Sequence, residues 1–297
     1  MADDRKSRER LKKDSDWVQR LNHVVEKSSR VSVFRRPPDD EARVAHPRTP
    51  MTVQHHPLQP QVESWASLGE IRPRARNLRE RGAPLVSFHR DGPVAKAFDL
   101  LRTRLVHTLR QHGWSRIAIT APKRGAGATF TAVNLALSLA RVPGTRTILM
   151  DMNQRHPGVA DALDVGGTGE MRHFLTGQTS MSDHLVRLGD TLALGLNATP
   201  YRDSADLLHD RRTALALERM QDALAPDVVL YDMPAILDYD DLGAFLPQID
   251  GVLLVSDGTA TTARQIAECE RVLDGQTQLL GVILNRARGS ITDRLRR

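Results

Sequence analysis

Between residues 94 and 284 the apolar positions switch repeatedly between two spacings. Val94, Phe98, Leu101, Leu105 and Leu109 recur at three and four residues, which predicts a helix over 94–112. The next apolar positions, 117–119, are an unbroken run and predict a strand. After a loop carrying Gly125 and Gly127, Val133, Leu135, Ala136 and Leu139 return to helical spacing. Further near-continuous apolar runs at 147–150, 228–231, 251–256 and 279–284 predict strands, and helices are expected at about 211–224 and 261–274. Strands apolar on both faces, alternating with helices, predict an α/β fold in which a mostly parallel sheet has helices on both faces. Residues 158–200 mix short helical and loop signals around G-G-T-G at 166–169, and no element is assigned there.

The first third has no such pattern. Residues 3–30 are highly charged, and Leu11, Val18, Leu21 and Val25 place one weak amphipathic helix there. Prolines recur from Pro37 to Pro73, which predicts an unstructured linker. The adjacent His55 and His56 have no Cys, Asp or Glu at ligand spacing and are read as linker residues rather than metal ligands. A largely disordered basic tail is therefore expected over 1–92, and a folded domain over 93–297.

Charge supports that division. The net charge of the chain is +6, and residues 1–92 hold 19 Lys and Arg against 13 Asp and Glu, while residues 93–297 hold 23 of each. The basic character thus describes the tail and says nothing of a nucleic-acid-binding face on the folded part; no nucleic-acid partner is expected, and the tail suits an acidic partner or an anionic membrane surface. A single cysteine, Cys269, excludes a disulfide framework and fits a reducing cytoplasm. No apolar run reaches 18 residues, and the N-terminus is charged where a signal peptide needs an apolar stretch. A cytoplasmic protein is expected, with peripheral docking at the inner face of the plasma membrane open to the tail.

Strand, glycine loop and helix over 116–140 make an anion-binding unit, because glycines let backbone N–H groups turn toward a phosphate and the helix N-terminus adds its positive dipole end. Against the phosphate-loop pattern G-x-x-x-x-G-K-[ST], Ala128 stands at the lysine position and Thr129 at the hydroxyl position. Asp151 and Asp232 fall at the C-terminal tips of two predicted strands, where open α/β sheets bind ligands.

The order of these pieces, together with D-G-V-L-L-V at 250–255 and G-V-I-L-N-R at 281–286, resembles the MinD/ParA-type P-loop ATPases. More narrowly, A-F-D-L-L-R-T-R-L at 97–105, N-Q-R-H-P at 153–157 and V-V-L-Y-D-M-P-A at 228–235 resemble the cytoplasmic domain of the bacterial tyrosine kinases of capsule and exopolysaccharide assembly. The resemblance covers about residues 93–288. It implies ATP or ADP with Mg²⁺, a phosphate cradle from Gly125, Ala126, Gly127, Ala128, Thr129 and Phe130, and an adenine contact from Asn285. It implies further that Thr129, Asp151 and Asp232 surround the metal, with Asp151 beside the attacking hydroxyl, and that Lys123 is the signature lysine of the MinD/ParA branch. A membrane-embedded polysaccharide chain-length or export protein is the implied partner.

Several family positions differ. Ala128 replaces the lysine that neutralises phosphate charge, and Asn153 replaces the second aspartate of a D-x-D pair; one such loss costs about two to three orders of magnitude in rate. In the subunit-packing helix E-A-F-R-x-L-R, Lys96 and Asp99 reverse two charges and Arg102 is kept, which argues against the family's ring. The family's C-terminal tyrosine cluster has no counterpart in R-A-R-G-S-I-T-D-R-L-R-R, and the tyrosines are Tyr201, Tyr231 and Tyr239. Two readings stand: a regulatory protein that holds nucleotide weakly with little or no turnover, and an active tyrosine kinase or ATPase in which Lys123 supplies the missing charge. A ParA/MinD-type positioning ATPase is a third.

Overall fold

The computed structural model describes residues 64–73, 85–86, 92–166 and 169–287. The expected amphipathic helix at 3–30, His55 and His56, and residues 288–297 lie outside them. The described residues belong to one compact unit, which begins at Gln61.

Eight strands form one sheet: β1 (Gly69–Glu70), β2 (Arg116–Thr120), β3 (Thr147–Asp151), β4 (Leu185–Arg187), β5 (Leu192–Gly195), β6 (Val228–Asp232), β7 (Gly251–Asp257) and β8 (Gln278–Asn285). Their order is β1-β4-β5-β3-β6-β2-β7-β8, and every neighbouring pair is parallel except β4 with β5. The mostly parallel sheet expected from the apolar runs is present.

Alternate residues of the central strands feed two cores, one on each face. Ile117, Ile119, Leu149, Leu230, Leu253 and Val255 pack under helix α1 (Pro93–His112) and helix α2 (Ala128–Leu139), which follows the glycine loop. Ala118, Ile148, Met150, Val229, Tyr231, Val252 and Leu254 face the opposite side. There they meet helix α3 (Arg211–Leu224) through Leu217, Met220 and Leu224, and helix α4 (Ala263–Leu273) through Cys269 and Leu273. Burial of both faces is why these strands are apolar throughout rather than alternating. Each helix has a local stop or start: Gly113 ends α1 in the left-handed conformation at φ 66°, and Thr262 with Gln265 forms a capping box at the start of α4.

Residues 64–71, expected as linker, are packed. Trp65 is 7% exposed and its indole N–H donates to the Asp190 carbonyl at 2.8 Å, with the Arg146 guanidinium 5.4 Å from the ring centroid. Leu68 is buried, and β1 pairs with β4. Leu85 and Val86 are buried in the other core, and the Val86 N–H donates at 2.9 Å to Asn134 of α2. These partners are 48 to 125 residues away, so no local periodicity announces them.

The unassigned stretch 158–200 supplies β4, β5 and three short helices, among them Val159–Leu163. Elements of three to five residues carry too few positions to show a period. Among the described residues no helix is long and apolar enough to cross a membrane.

Trp65 is therefore expected to contribute as a core residue. Trp65→Ala should lower unfolding stability by about 3–5 kcal/mol in a denaturant titration, whereas a solvated linker tryptophan would leave the midpoint within experimental error.

Candidate functional site

The site lies at the C-terminal ends of β2, β3 and β6. Gly125 and Gly127 hold φ of 88° and 100°, which bulky L-residues rarely adopt, and they fold residues 121–127 back over the start of α2. Gly127 is the N-cap of α2. No side chain caps this terminus and no acidic residue stands in its first turn, so its N–H groups and dipole remain available to an anion.

Behind the loop, Asp151 and Asp232 are registered neighbours on β3 and β6, and neither is exposed to solvent. Asp151 Oδ2 accepts the backbone N–H groups of Gly158 and Val159 at 2.9 and 3.0 Å. Its Oδ1, and both carboxylate oxygens of Asp232, have no hydrogen-bond partner among the described residues. Burial pushes Asp151 up to about 7 in spite of those two amides and that of Asn153. Asp232 is pushed well above the usual carboxylate range, first by burial and then by the charge of Asp151, with the neighbouring Thr129 hydroxyl opposing the shift. Gly158 packs against Thr129, since a Cβ there would lie 3.2 Å from Cγ2.

Three orphaned carboxylate oxygens beside a hydroxyl suit a hard divalent cation. Mg²⁺ in particular uses one or two carboxylates and completes its shell with water and phosphate oxygens. Among the described residues there is no cluster of three or more His, Cys, Asp or Glu, so an all-protein metal cage is absent. Asp151, Asp232 and Thr129 therefore fit Mg²⁺ held jointly with a phosphate group.

Other expected residues are engaged differently. Lys123, half-exposed, pairs with Asp238 at 2.6 Å, and the same carboxylate accepts the Arg124 N–H at 3.1 Å. Its charge is thus balanced at the rim. Asn285 donates one amide N–H to the Ala126 carbonyl at 2.8 Å, and its Oδ1 accepts the Arg286 N–H at 2.9 Å. Asn153 accepts the His156 N–H at 3.2 Å, a turn contact. Phe130 points to α1, where it meets Phe98 edge-on at 6.2 Å.

Of the expected subunit-packing residues, Lys96 is exposed, but Asp99 and Arg102 bind each other at 3.1 Å. Arg102 also donates to the Ser138 carbonyl at 3.0 Å, Ser138 donates its hydroxyl to Asp99 at 2.8 Å, and Arg141 pairs with Asp99. These residues fasten α1 to α2 within the chain. Tyr231 is fully buried against Phe245, while Tyr201 and Tyr239 each lie under an arginine, Arg172 at 5.3 Å and Arg155 at 4.5 Å.

Sequence reasoning missed Asp238, Asp257 and Arg286, the last two joined by a 2.5 Å ion pair beside the loop. D-M-P-A-I-L-D at 232–238 has no spacing that assigns Asp238; the Lys123 contact does.

No family model matches the chain. Tyrosine-protein kinase YwqD of Bacillus subtilis is 27% identical over 194 residues, 64% of this chain and 80% of its own length. Putative tyrosine-protein kinase EpsB of Ralstonia solanacearum is 27% identical over 213 residues, 70% of this chain but 28% of EpsB, so the chain spans only about a quarter of that relative. The chromosome-partitioning ATPase Soj of Thermus thermophilus is 32% identical over 177 residues, 57% of this chain and 68% of Soj. The kinase domain of Escherichia coli tyrosine kinase ETK superposes with a TM-score of 0.64 at 19% identity over 77% of this chain and 92% of that one. The chimerical protein CapA2B2 gives 0.63 at 18% identity, over 72% and 98%. At such identities the structural likeness establishes the fold.

The carboxylate pair makes a prediction about pH. Folded-state values raised above the unfolded carboxylate value mean that protonation favours the fold, so this stabilisation is complete below about pH 4 and is lost as pH rises through about 7. Without metal, Asp232→Asn should raise stability at pH 8 by roughly 1–3 kcal/mol and have little effect at pH 4. Mg²⁺ with nucleotide should raise the melting temperature of the unaltered chain at pH 8, and of the variant hardly at all; equal increments for both would remove Asp232 from the metal site.

Proposed function

The chain belongs to the MinD/ParA-type P-loop ATPase superfamily, with bacterial tyrosine-protein kinases among its homologues, and we propose that it is a kinase-fold regulatory subunit of exopolysaccharide or capsule assembly. It binds Mg²⁺-ATP or Mg²⁺-ADP weakly and turns nucleotide over slowly or not at all. It works at the cytoplasmic face of the membrane with a membrane-embedded chain-length or export protein. Relatives named for this setting include the succinoglycan biosynthesis transport protein ExoP of Rhizobium meliloti, of which the aligned region is 22%.

The observation that carries this reading is a binding frame kept without its cation. The orphaned oxygens of Asp151 and Asp232, the Thr129 hydroxyl and the uncapped start of α2 favour Mg²⁺ and phosphate, while Ala128 offers no charge to them. When bound, Mg²⁺ offsets part of the charge of the β- and γ-phosphates. Thr129 and Asp232 would hold it, and Asp151, its Oδ2 anchored by two amides, would orient water or an acceptor hydroxyl with its free Oδ1. Without a lysine at 128, and with Lys123 already paired with Asp238, the charge on a transferring phosphoryl group would lack that contact. That deficit is worth two to three orders of magnitude, about 3–4 kcal/mol.

A second reading, a positioning ATPase, has the similarity to Soj behind it. Retention on duplex DNA in the presence of Mg²⁺-ATP would select it over the regulatory one.

Calorimetric titration should find Mg²⁺-ADP binding, and a coupled assay should find hydrolysis at least tenfold slower than the 1–100 per second of ordinary kinases. Ala128→Lys with Asn153→Asp should raise turnover about a hundredfold, and Lys123→Ala should leave residual turnover within twofold. A native rate above about 1 per second, abolished by Lys123→Ala, would establish the active-kinase alternative instead.

A further inference from the structure

The C-terminal end of β8 grips the glycine loop from outside. Asn285 Nδ2 donates to the Ala126 carbonyl at 2.8 Å, and Arg286 Nη1 donates to the Gly125 carbonyl at 3.0 Å. The same nitrogen lies 2.5 Å from Asp257 Oδ2, at the end of β7. Asp257 is fixed in turn: its Oδ1 accepts the Thr259 N–H at 2.8 Å and the Thr259 hydroxyl at 2.6 Å, and these bonds hold its carboxyl down to about 2.

The backbone is fitted to this grip at three places. Arg286 adopts φ 53°, a conformation uncommon for a residue with a side chain. Gly258 donates its N–H to the Asn285 carbonyl at 2.8 Å, and a Cβ there would come within 3.3 Å of backbone atoms of Asn285, Arg286 and Ala287. Gly127 leaves the space that Asn285 fills, since a Cβ at Gly127 would lie 2.1 Å from Nδ2. The loop, the turn after β7 and the end of β8 thus form one closed network.

In a trans peptide the carbonyl and N–H point in opposite directions. Holding the carbonyls of Gly125 and Ala126 toward β8 therefore turns the N–H groups of Ala126 and Gly127 the other way, to the side on which an anion at the α2 terminus would sit. Ala128 has no long side chain with which the loop could brace itself. We propose that Asn285 and Arg286, with Arg286 anchored on Asp257, are positioning residues that pre-orient the amides of a phosphate loop lacking its lysine. The proposal rests on the nucleotide reading above for its consequence, but not for the clasp itself.

Two readouts on the full chain test it separately. Hydrogen exchange of the amides of residues 125–129, measured without nucleotide, reads the clasp; titration with Mg²⁺-ADP reads its effect on binding. Arg286→Ala is expected to speed exchange at 125–129 about tenfold with β6 unchanged, and to weaken Mg²⁺-ADP about tenfold, with the melting temperature within about 2 °C of the parent. Asp257→Asn should match it, the double variant should add little to either, and Arg286→Lys should recover part of the loss. Unchanged exchange at 125–129, or fully additive effects of the two substitutions, overturns the clasp. A fall in affinity accompanied by a large fall in melting temperature assigns Arg286 a structural role only. If the parent chain fails to bind Mg²⁺-ADP, the proposed function falls, and the exchange result still decides the clasp.

Discussion

Two carboxylates buried side by side at the ends of neighbouring central strands are the costliest feature of this fold, and the surrounding structure is arranged about them. Like charges directly opposite in a sheet repel, and removing them from water adds a desolvation penalty of several kcal/mol. Asp151 receives partial relief from the amides of Gly158 and Val159, and the neighbouring Thr129 hydroxyl opposes the shift of Asp232. Asp232 receives no hydrogen bond of its own among the described residues. A chain selected for stability alone would place apolar residues at both tips, as it does one position earlier with Met150 and Tyr231. The pair makes physical sense where a cation recovers the cost on binding.

The elements around the pair hold the loop at a set distance and leave its anion-facing side open. Thr120 donates its hydroxyl to the Pro234 carbonyl at 2.6 Å and so ties the end of β2 to the segment after Asp232. The Ile236 N–H reaches the Ala121 carbonyl at 2.9 Å and continues that seam. Asp238 then secures Lys123 and Arg124, while Asn285 and Arg286 secure Gly125 and Ala126 from the other side. Every one of these contacts uses the outer, carbonyl-bearing side of the loop or its first residues. These contacts fix the backbone of the loop, while Ala128 puts no charge at the start of α2.

Helix α1 belongs to the same assembly. Asp99 and Arg102 engage Ser138 and Arg141, and Phe98 meets Phe130, so α1 rides on the helix whose N-terminus faces the phosphate position. Val86 adds a bond to Asn134 on the same helix. Movement of the loop helix would therefore be felt along α1 and at Val86.

What the sequence determined by itself was the framework. The central strands and long helices are each long enough to show a period or an unbroken apolar run, and burial on both sheet faces makes that signal strong at 117–119, 147–150, 228–231 and 251–256. The glycine loop, Thr129, Asp151 and Asp232 were legible because strand, loop and helix fix where a strand-end residue must point. The tertiary structure alone decided the rest. Trp65, Leu68, Leu85 and Val86 join the cores through partners far along the chain, and the short elements between 158 and 200 have too few residues to carry a period. Lys123, Asn285, Asp99 and Arg102 had roles implied by resemblance, yet the contacts they make here depend on Asp238, Ala126, Ser138 and Arg141, brought near by folding. Local pattern records which backbone conformation and which face a residue takes; the partner that absorbs a charge or an amide is a long-range fact, and it becomes visible only when the chain has closed on itself.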